Sequence, residues 1–204
     1  MLFRSSGVDI HLGRGNANKI MNRILYHGFT KHGLQVSAID GGSLRNAIPR
    51  ESFASVIIPS SEIMGFRTCL EKVSAVIKNE LSAVEPDLRI EMASAPLPST
   101  IIDPVVMLKV MNGIYACPNG VMRMSNEMAG LVETSNNLAI VKSEKGEIRM
   151  MNLLRSSVDS AKDDLQQQIQ SVFDLAGAQC IFDGSYPGWK PNPTSPILDR
   201  KSVV

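Results

Sequence analysis

Histidine and cysteine are scarce in this 204-residue chain, and each scarcity argues against a class of chemistry. The three cysteines, Cys69, Cys117 and Cys180, are odd in number and widely spaced. They therefore make neither a disulfide framework nor a CxxC metal site, and the cytosol is the default compartment. The three histidines, His11, His27 and His32, have no carboxylate cluster at ligand spacing beside them, so a catalytic zinc site finds no support and no metal ligand is assigned. An excess of one charge is also missing. Lys and Arg number 21 against 20 Asp and Glu, with no long run of either sign, which argues against a nucleic-acid or anionic-membrane partner. No apolar run approaches the roughly 20 residues that span a bilayer. The first residues, MLFRSSG, lack the apolar centre of a signal peptide. Nucleotide fingerprints are absent too. Gly13-Arg14-Gly15-Asn16 could offer backbone N–H groups to an anion at a helix start, but no GxGxxG and no following Lys-Ser/Thr accompanies it. No nucleophile elbow points to a Ser-His-Asp or Cys-His arrangement, and no catalytic residue is assigned.

What is present is an ordinary globular composition, 44% apolar and 20% charged, over a length that suits one large domain or two small ones. Ala17, Ile20, Ile24 and Leu25 predict a helix that starts near Gly15 or Asn16 and ends around Gly28, with His27 and His32 at the surface near its C-terminus, where a cation is favoured. Residues 34–39 and 52–58 predict strands. From Ser61 the positions Ile63, Phe66, Leu70, Val73, Ile77, Leu81 and Val84 follow steps of three and four, which is a long amphipathic helix. Residues 88–93 predict another strand. Asp103-Pro104 then reads as an N-cap with proline at the first helical position. A helix capped by Ser156 or Ser157 buries Leu165, Ile169 and Phe173 and meets Gly177 at its end, before a last strand at 178–182. The order helix, strand, strand, helix, strand thus occurs twice. It predicts an α+β fold of two ferredoxin-like, βαββαβ-type halves (about 8–95 and 101–184), their strands forming one continuous antiparallel sheet with helices on one face. Residues 185–204 form a Gly/Pro-rich exit linker in which Trp189 anchors the loop.

Residues 131–160 read as a strand, a turn at Ser143-Glu144-Lys145-Gly146, a second strand, and a helix start. In the second strand Ile148, Met150, Asn152 and Leu154 share one face and Arg149, Met151, Leu153 and Arg155 the other. Long apolar side chains on both faces place this pair inside a sheet rather than at its edge. Arg155, a guanidinium ending an apolar strand, reads either as a surface ion-pair residue or as an anion clamp. Asn46 and Asn137 read as turn-satisfying residues or as ligand hydrogen-bonders, the turn reading being the simpler. Met124, Met128, Met150 and Met151 read as core filler.

Five stretches taken together, SGVDIHLGRGNANK, GGSLRNAIPRE, CPNGVMRMSNEMAGLVETSNNLA, LLRSSVDS and GSYPGWKPNPTSPIL, closely resemble the aminoacyl-histidine (Xaa-His) dipeptidases, or peptidase D. These belong to the zinc metallopeptidase family that includes carboxypeptidase G, aminoacylase and carnosinase. The part resembled is the lid, or dimerisation, domain inserted into the catalytic domain. The resemblance implies a hydrolase acting on Xaa-His dipeptides such as carnosine, with two zinc ions, their ligands and the general base all supplied by a catalytic domain of the same polypeptide that this chain does not contain. It implies a cytoplasmic protein, a homodimer, and a domain inactive by itself. The family's lid histidine, in Gly-Gly-His-Ser-Gly, falls at Ser5 of Phe3-Arg4-Ser5-Ser6-Gly7, a departure that puts that contact in question and suggests a start inside a longer gene. The lid arginine that grips the substrate carboxylate matches Arg155, while Asn46 and Asn137 match small polar positions near the cleft. The competing readings are a stand-alone ferredoxin-like binding or assembly module without peptidase activity, and a degenerate, truncated peptidase.

Overall fold

The structure, a computed structural model, describes residues 5–188. Helix α1 (Ala17–His32) begins where Asn16 turns its side-chain oxygen onto the N–H groups of Asn18 and Lys19. It runs past Gly28 to a left-handed Gly33 cap. Gly28 is no stop signal: a Cβ there would lie 2.6 Å from Leu34 Cδ1 and 2.8 Å from Phe66 Cε2, so the missing side chain lets the helix pack. Strands β1 (Gln35–Gly41) and β2 (Ser52–Ile57) follow, then α2 (Ile63–Glu80). Helix α3 (Pro104–Ala116) carries the expected cap, Asp103 Oδ1 accepting from Val105 N at 2.9 Å and Val106 N at 3.1 Å. Strands β3 (Gly120–Met124), β4 (Val132–Glu144) and β5 (Glu147–Ser156) precede α4 (Asp159–Leu175). The β4–β5 turn is Lys145-Gly146, at φ 52° and 79°, the backbone that a two-residue hairpin turn requires.

All five strands are antiparallel to their neighbours and β4 is the axis of the sheet. On one side β4 pairs with β3 through its first half and with β1 only at Asp40↔Lys142 and Gly41↔Val141. On its other side it pairs with β5 along its length. β2 lies beyond β1. Irregularities at 36–38 of β1 and 138–140 of β4 shift the alternation by one residue. Val36 with Ile39, and Leu138 with Val141, therefore all face the core despite odd spacings. That core joins these residues to Leu25 of α1, Phe66 and Ile77 of α2, and Met107, Met111 and Ile114 of α3. A smaller cluster sets Leu165, Ile169 and Phe173 of α4 against Cys117 and, across from them, Met150 and Leu154 of β5. The α+β fold with helices on one face of an antiparallel sheet is thus the observed one.

Several local expectations differ. Residues 88–93 and 178–182 carry no regular secondary structure and join no ladder. Leu88, Ile90 and Met92 nonetheless pack on the core, so their alternation reports burial of one side and not a hydrogen-bonded partner. β3 has no counterpart in the order expected from the sequence. β5 pairs with β4 alone among the described residues, so it is an edge strand, and its second apolar face includes Met151 at 39% exposure. The N-cap of α4 is Val158, not Ser156 or Ser157, and its N–H donates to Ser156 Oγ. Trp189 and most of the exit linker lie outside the described residues.

Candidate functional site

Arg155 sits near the end of β5, opposite Ser135 of β4, on the sheet face away from the helices. That face is covered by residues 5–12 and by the connection between β1 and β2. Ser5 organises the first of these. Its N–H donates to Asp9 Oδ2 at 2.9 Å, while its hydroxyl accepts from Gly7 N at 3.2 Å and Val8 N at 3.1 Å. The loop so tied is laid against the connection by Ser6 N donating to Asn46 O at 3.0 Å and by a bridge between Ser5 and Ala47. Gly7 then meets the Arg155 guanidinium: a Cβ on Gly7 would lie 3.4 Å from Cζ and from one terminal nitrogen.

Asn137, one position along the same face from Ser135, is 1% exposed. Its Nδ2 donates to Ala47 O at 2.7 Å and Arg45 O at 3.3 Å, fixing the segment that carries Asn46. The side chain of Asn46 is exposed. The three residues singled out in the sequence are therefore gathered around residues 5–7, with unequal parts. Asn137 is a buried strut, Asn46 offers a main-chain carbonyl to Ser6 and a free-standing amide to solvent, and Arg155 supplies the cation. Among the described residues no carboxylate pairs with Arg155, and its Nε is buried without a protein partner, as are Ser6 Oγ and Asn137 Oδ1. Sequence reasoning missed Ser6 and Gly7 as neighbours of Arg155. The only signal for them was their place in the Ser-Ser-Gly stretch, because contacts between positions 7 and 155 have no local pattern.

Other candidates resolve differently. The N–H groups at the start of α1 are spoken for: Ala17 N by Pro49 O, and Asn18 N and Lys19 N by Asn16 Oδ1. The first turn of α1 therefore has no free N–H at residues 17–19 to offer an anion. A cleft of about 290 Å³ beside it is lined by Ile10, His11, Arg14, Ile48 and Asn119. Asn119 spends its Oδ1 on Asn16 Nδ2 and Leu138 N, so that part of the wall is structural. Cys117 is no nucleophile: burial pushes its thiol up to about 11, Lys19 opposing and Cys180 adding to the shift. The Lys19 ammonium, its own pKa lowered by burial, caps α3 by donating to the carbonyls of Ile114, Tyr115 and Cys117. His27 has its pKa lowered by burial and then by Lys31 and Arg23, so it does not favour the cation expected near a helix end. His32 pairs with Glu62 at 2.9 Å. Among the described residues no three His, Cys, Asp or Glu side chains gather as a metal site.

Comparison with known proteins finds relatives of this chain. Residues 2–85 match the family model described as "Peptidase dimerisation domain". The chain is 35% identical over 198 residues to the cytosol non-specific dipeptidase of Escherichia coli (strain K12), covering 95% of this chain and 40% of that protein. Its structure superposes on the crystal structure of aminoacylhistidine dipeptidase from Vibrio alginolyticus with a TM-score of 0.91 and 38% identity, over 96% of this chain and 40% of that one. The chain thus spans about two fifths of the length of the relatives it matches. Residues 2–85 thus resemble a peptidase dimerisation domain, and the chain as a whole is similar to about two fifths of each of these two dipeptidases.

Proposed function

We propose that this domain is the lid of a two-zinc aminoacyl-histidine dipeptidase, closing over dipeptides such as carnosine and gripping their free carboxylate with Arg155. The observation that carries the reading is the state of Arg155: a guanidinium at a strand end, packed on Gly7, with no carboxylate partner among the described residues. A planar fork in that position matches a carboxylate by two parallel hydrogen bonds. Asn137 holds the 45–47 segment, and Asn46 offers its exposed amide beside the substrate. Closing such a lid orients the dipeptide and excludes water.

The residues described here do not fit a zinc site, so no metal-dependent step is assigned to them. In this reading the ions and the general base reside in a catalytic domain of the same polypeptide, and residues 185–204 lead toward it. Residues 8–95 and 101–184 are the two pseudo-repeat halves of the lid, a homodimer forms through this domain, and the enzyme is cytoplasmic, like the cytosol dipeptidase of E. coli. The test is to assay the purified chain with zinc for carnosine hydrolysis, and then the same chain grafted in place of the corresponding 40% of the E. coli relative. The expected outcome is no turnover alone and turnover in the graft. Chelator-sensitive hydrolysis by the chain alone would refute the division of labour.

A further inference from the structure

Away from the Arg155 site, α1 turns two asparagines of successive turns, Asn18 and Asn22, toward the sheet and α3. Their amide nitrogens are committed. Asn18 Nδ2 lies 3.3 Å from Ala139 O and 3.4 Å from Gly41 O, and Asn22 Nδ2 donates to Met111 O at 3.1 Å. Their amide oxygens are not: Asn18 Oδ1 and Asn22 Oδ1 are both buried without a protein partner, and so is Ser52 Oγ at the start of β2. All three residues line one small cavity of about 10 Å³, walled otherwise by apolar side chains including Leu25, Ile39, Ile114 and Val141. Gly41 marks where two of the oxygens converge. A Cβ on it would fall 1.9 Å from Asn18 Oδ1 and 2.5 Å from Ser52 Oγ, so the glycine is what leaves them room.

We propose that this cavity specifically binds one water molecule, which donates to Asn18 Oδ1 and Asn22 Oδ1 and accepts from the Ser52 hydroxyl. Size agrees, since a single water needs roughly 10–15 Å³ of such space and two to four polar partners. Hydrogen-bond count agrees as well: two acceptors meet the two O–H groups of water, and one donor meets a lone pair. Inverting either amide would not remove the need, because it would break the bonds to Met111 O or Ala139 O. A cation fits poorly, for three neutral oxygens and no carboxylate cannot replace its hydration shell. An anion is refused by the two amide oxygens. The water joins α1 to β2 near the seam where β1 and β4 share only two paired positions.

The experiment is a crystal structure of the 204-residue chain, with water-to-amide cross-relaxation recorded on the side-chain amides of Asn18 and Asn22 in solution. The expected result is one density peak within hydrogen-bond distance of all three oxygens, and a long-lived water signal at both amides. Ser52→Ala should weaken that peak and lower Tm by about 2–4 °C, and Asn22→Leu, which fills the space with methyls, should abolish it. A dry cavity, a Ser52 hydroxyl turned onto a main-chain carbonyl, or a peak with the short, many-oxygen shell of a metal ion overturns the proposal. So does a water signal that Ser52→Ala leaves unchanged.

Discussion

Replacing Arg155 separates a structural role from the proposed binding role, because the two predict effects of such different sizes. The guanidinium makes no ion pair with any described residue, and its buried Nε has no protein acceptor. Arg155→Ala therefore deletes an uncompensated buried donor and some packing of the stem on Gly7. The two effects oppose each other and leave stability within about 1 kcal/mol. Function should respond far more. Truncating one member of a desolvated, hydrogen-bonded charge pair costs on the order of 2–4 kcal/mol, or roughly 30- to 700-fold at 1.4 kcal/mol per decade. The assay is kcat/KM for a dipeptide in the graft described above, with Tm measured on the same preparations. Arg155→Lys, which keeps the charge and loses the fork, should fall between the wild type and Arg155→Ala. A dipeptide blocked as its C-terminal amide should erase the difference among the three. Unchanged kcat/KM in Arg155→Ala removes the residue from the site, and a stability loss matching the activity loss makes it a packing residue.

The remaining expectations concern the groups that support that site and the core. Asn137→Ala leaves the carbonyls of Arg45 and Ala47 without their donor and should cost about 1–3 kcal/mol in urea unfolding; faster hydrogen exchange at Ser6 N, which leans on Asn46 O, would show that the 45–47 segment has loosened. Gly28→Ala forces a methyl to within 2.6 Å of Leu34 and 2.8 Å of Phe66 and should destabilise by roughly 1–3 kcal/mol, despite alanine's better helix propensity; a rise in Tm would refute the packing account. The Cys117 thiol sets an alkaline limit. Its folded pKa of about 11 lies above the ordinary 9.0, so the folded state holds the proton longer. The stability it contributes is complete below pH 9 and lost as pH rises toward 11, a span worth about 2–3 kcal/mol. Lys19, with its pKa lowered, acts in the opposite sense over the alkaline range. The decline should therefore be shallower in the wild type than this figure, and Cys117→Ala should remove it; an identical pH profile in that variant would exclude the thiol as its source.

Elements whose cause is local were legible in the sequence. The α2 periodicity, the Asp103-Pro104 cap and the Lys145-Gly146 turn each depend on side chains a few positions apart, and each is present. What failed depended on partners far away. Gly28 looks like a helix end until Leu34 and Phe66 are known to need the space beside it. Residues 88–93 alternate as a strand does because one side packs on the core, but alternation carries no information about whether a neighbouring strand offers its N–H and C=O groups. The bulges in β1 and β4 are equally silent, since an extra residue in one strand is defined only by the register of the other. The edge position of β5 belongs here too: two apolar faces suggest an interior strand, yet the open side of a sheet is fixed by topology and not by composition.

The same division governs the candidate site. Arg155 was visible as an anomaly, a charge closing an apolar strand, but the anomaly alone could not choose between an ion pair and a clamp. The structure places Gly7 rather than an acid on the guanidinium, with Ser5, the main chain of Ser6 and Asn46, and Asn137 Nδ2 engaged with one another and with the backbone. Those residues build a platform that leaves Arg155 the one cation there without a carboxylate among the described residues. A charge held that way does little for the stability of its own domain. Its placement makes physical sense when a second body supplies the anion, and a dipeptide carried by a catalytic domain is such a body in the proposed reading.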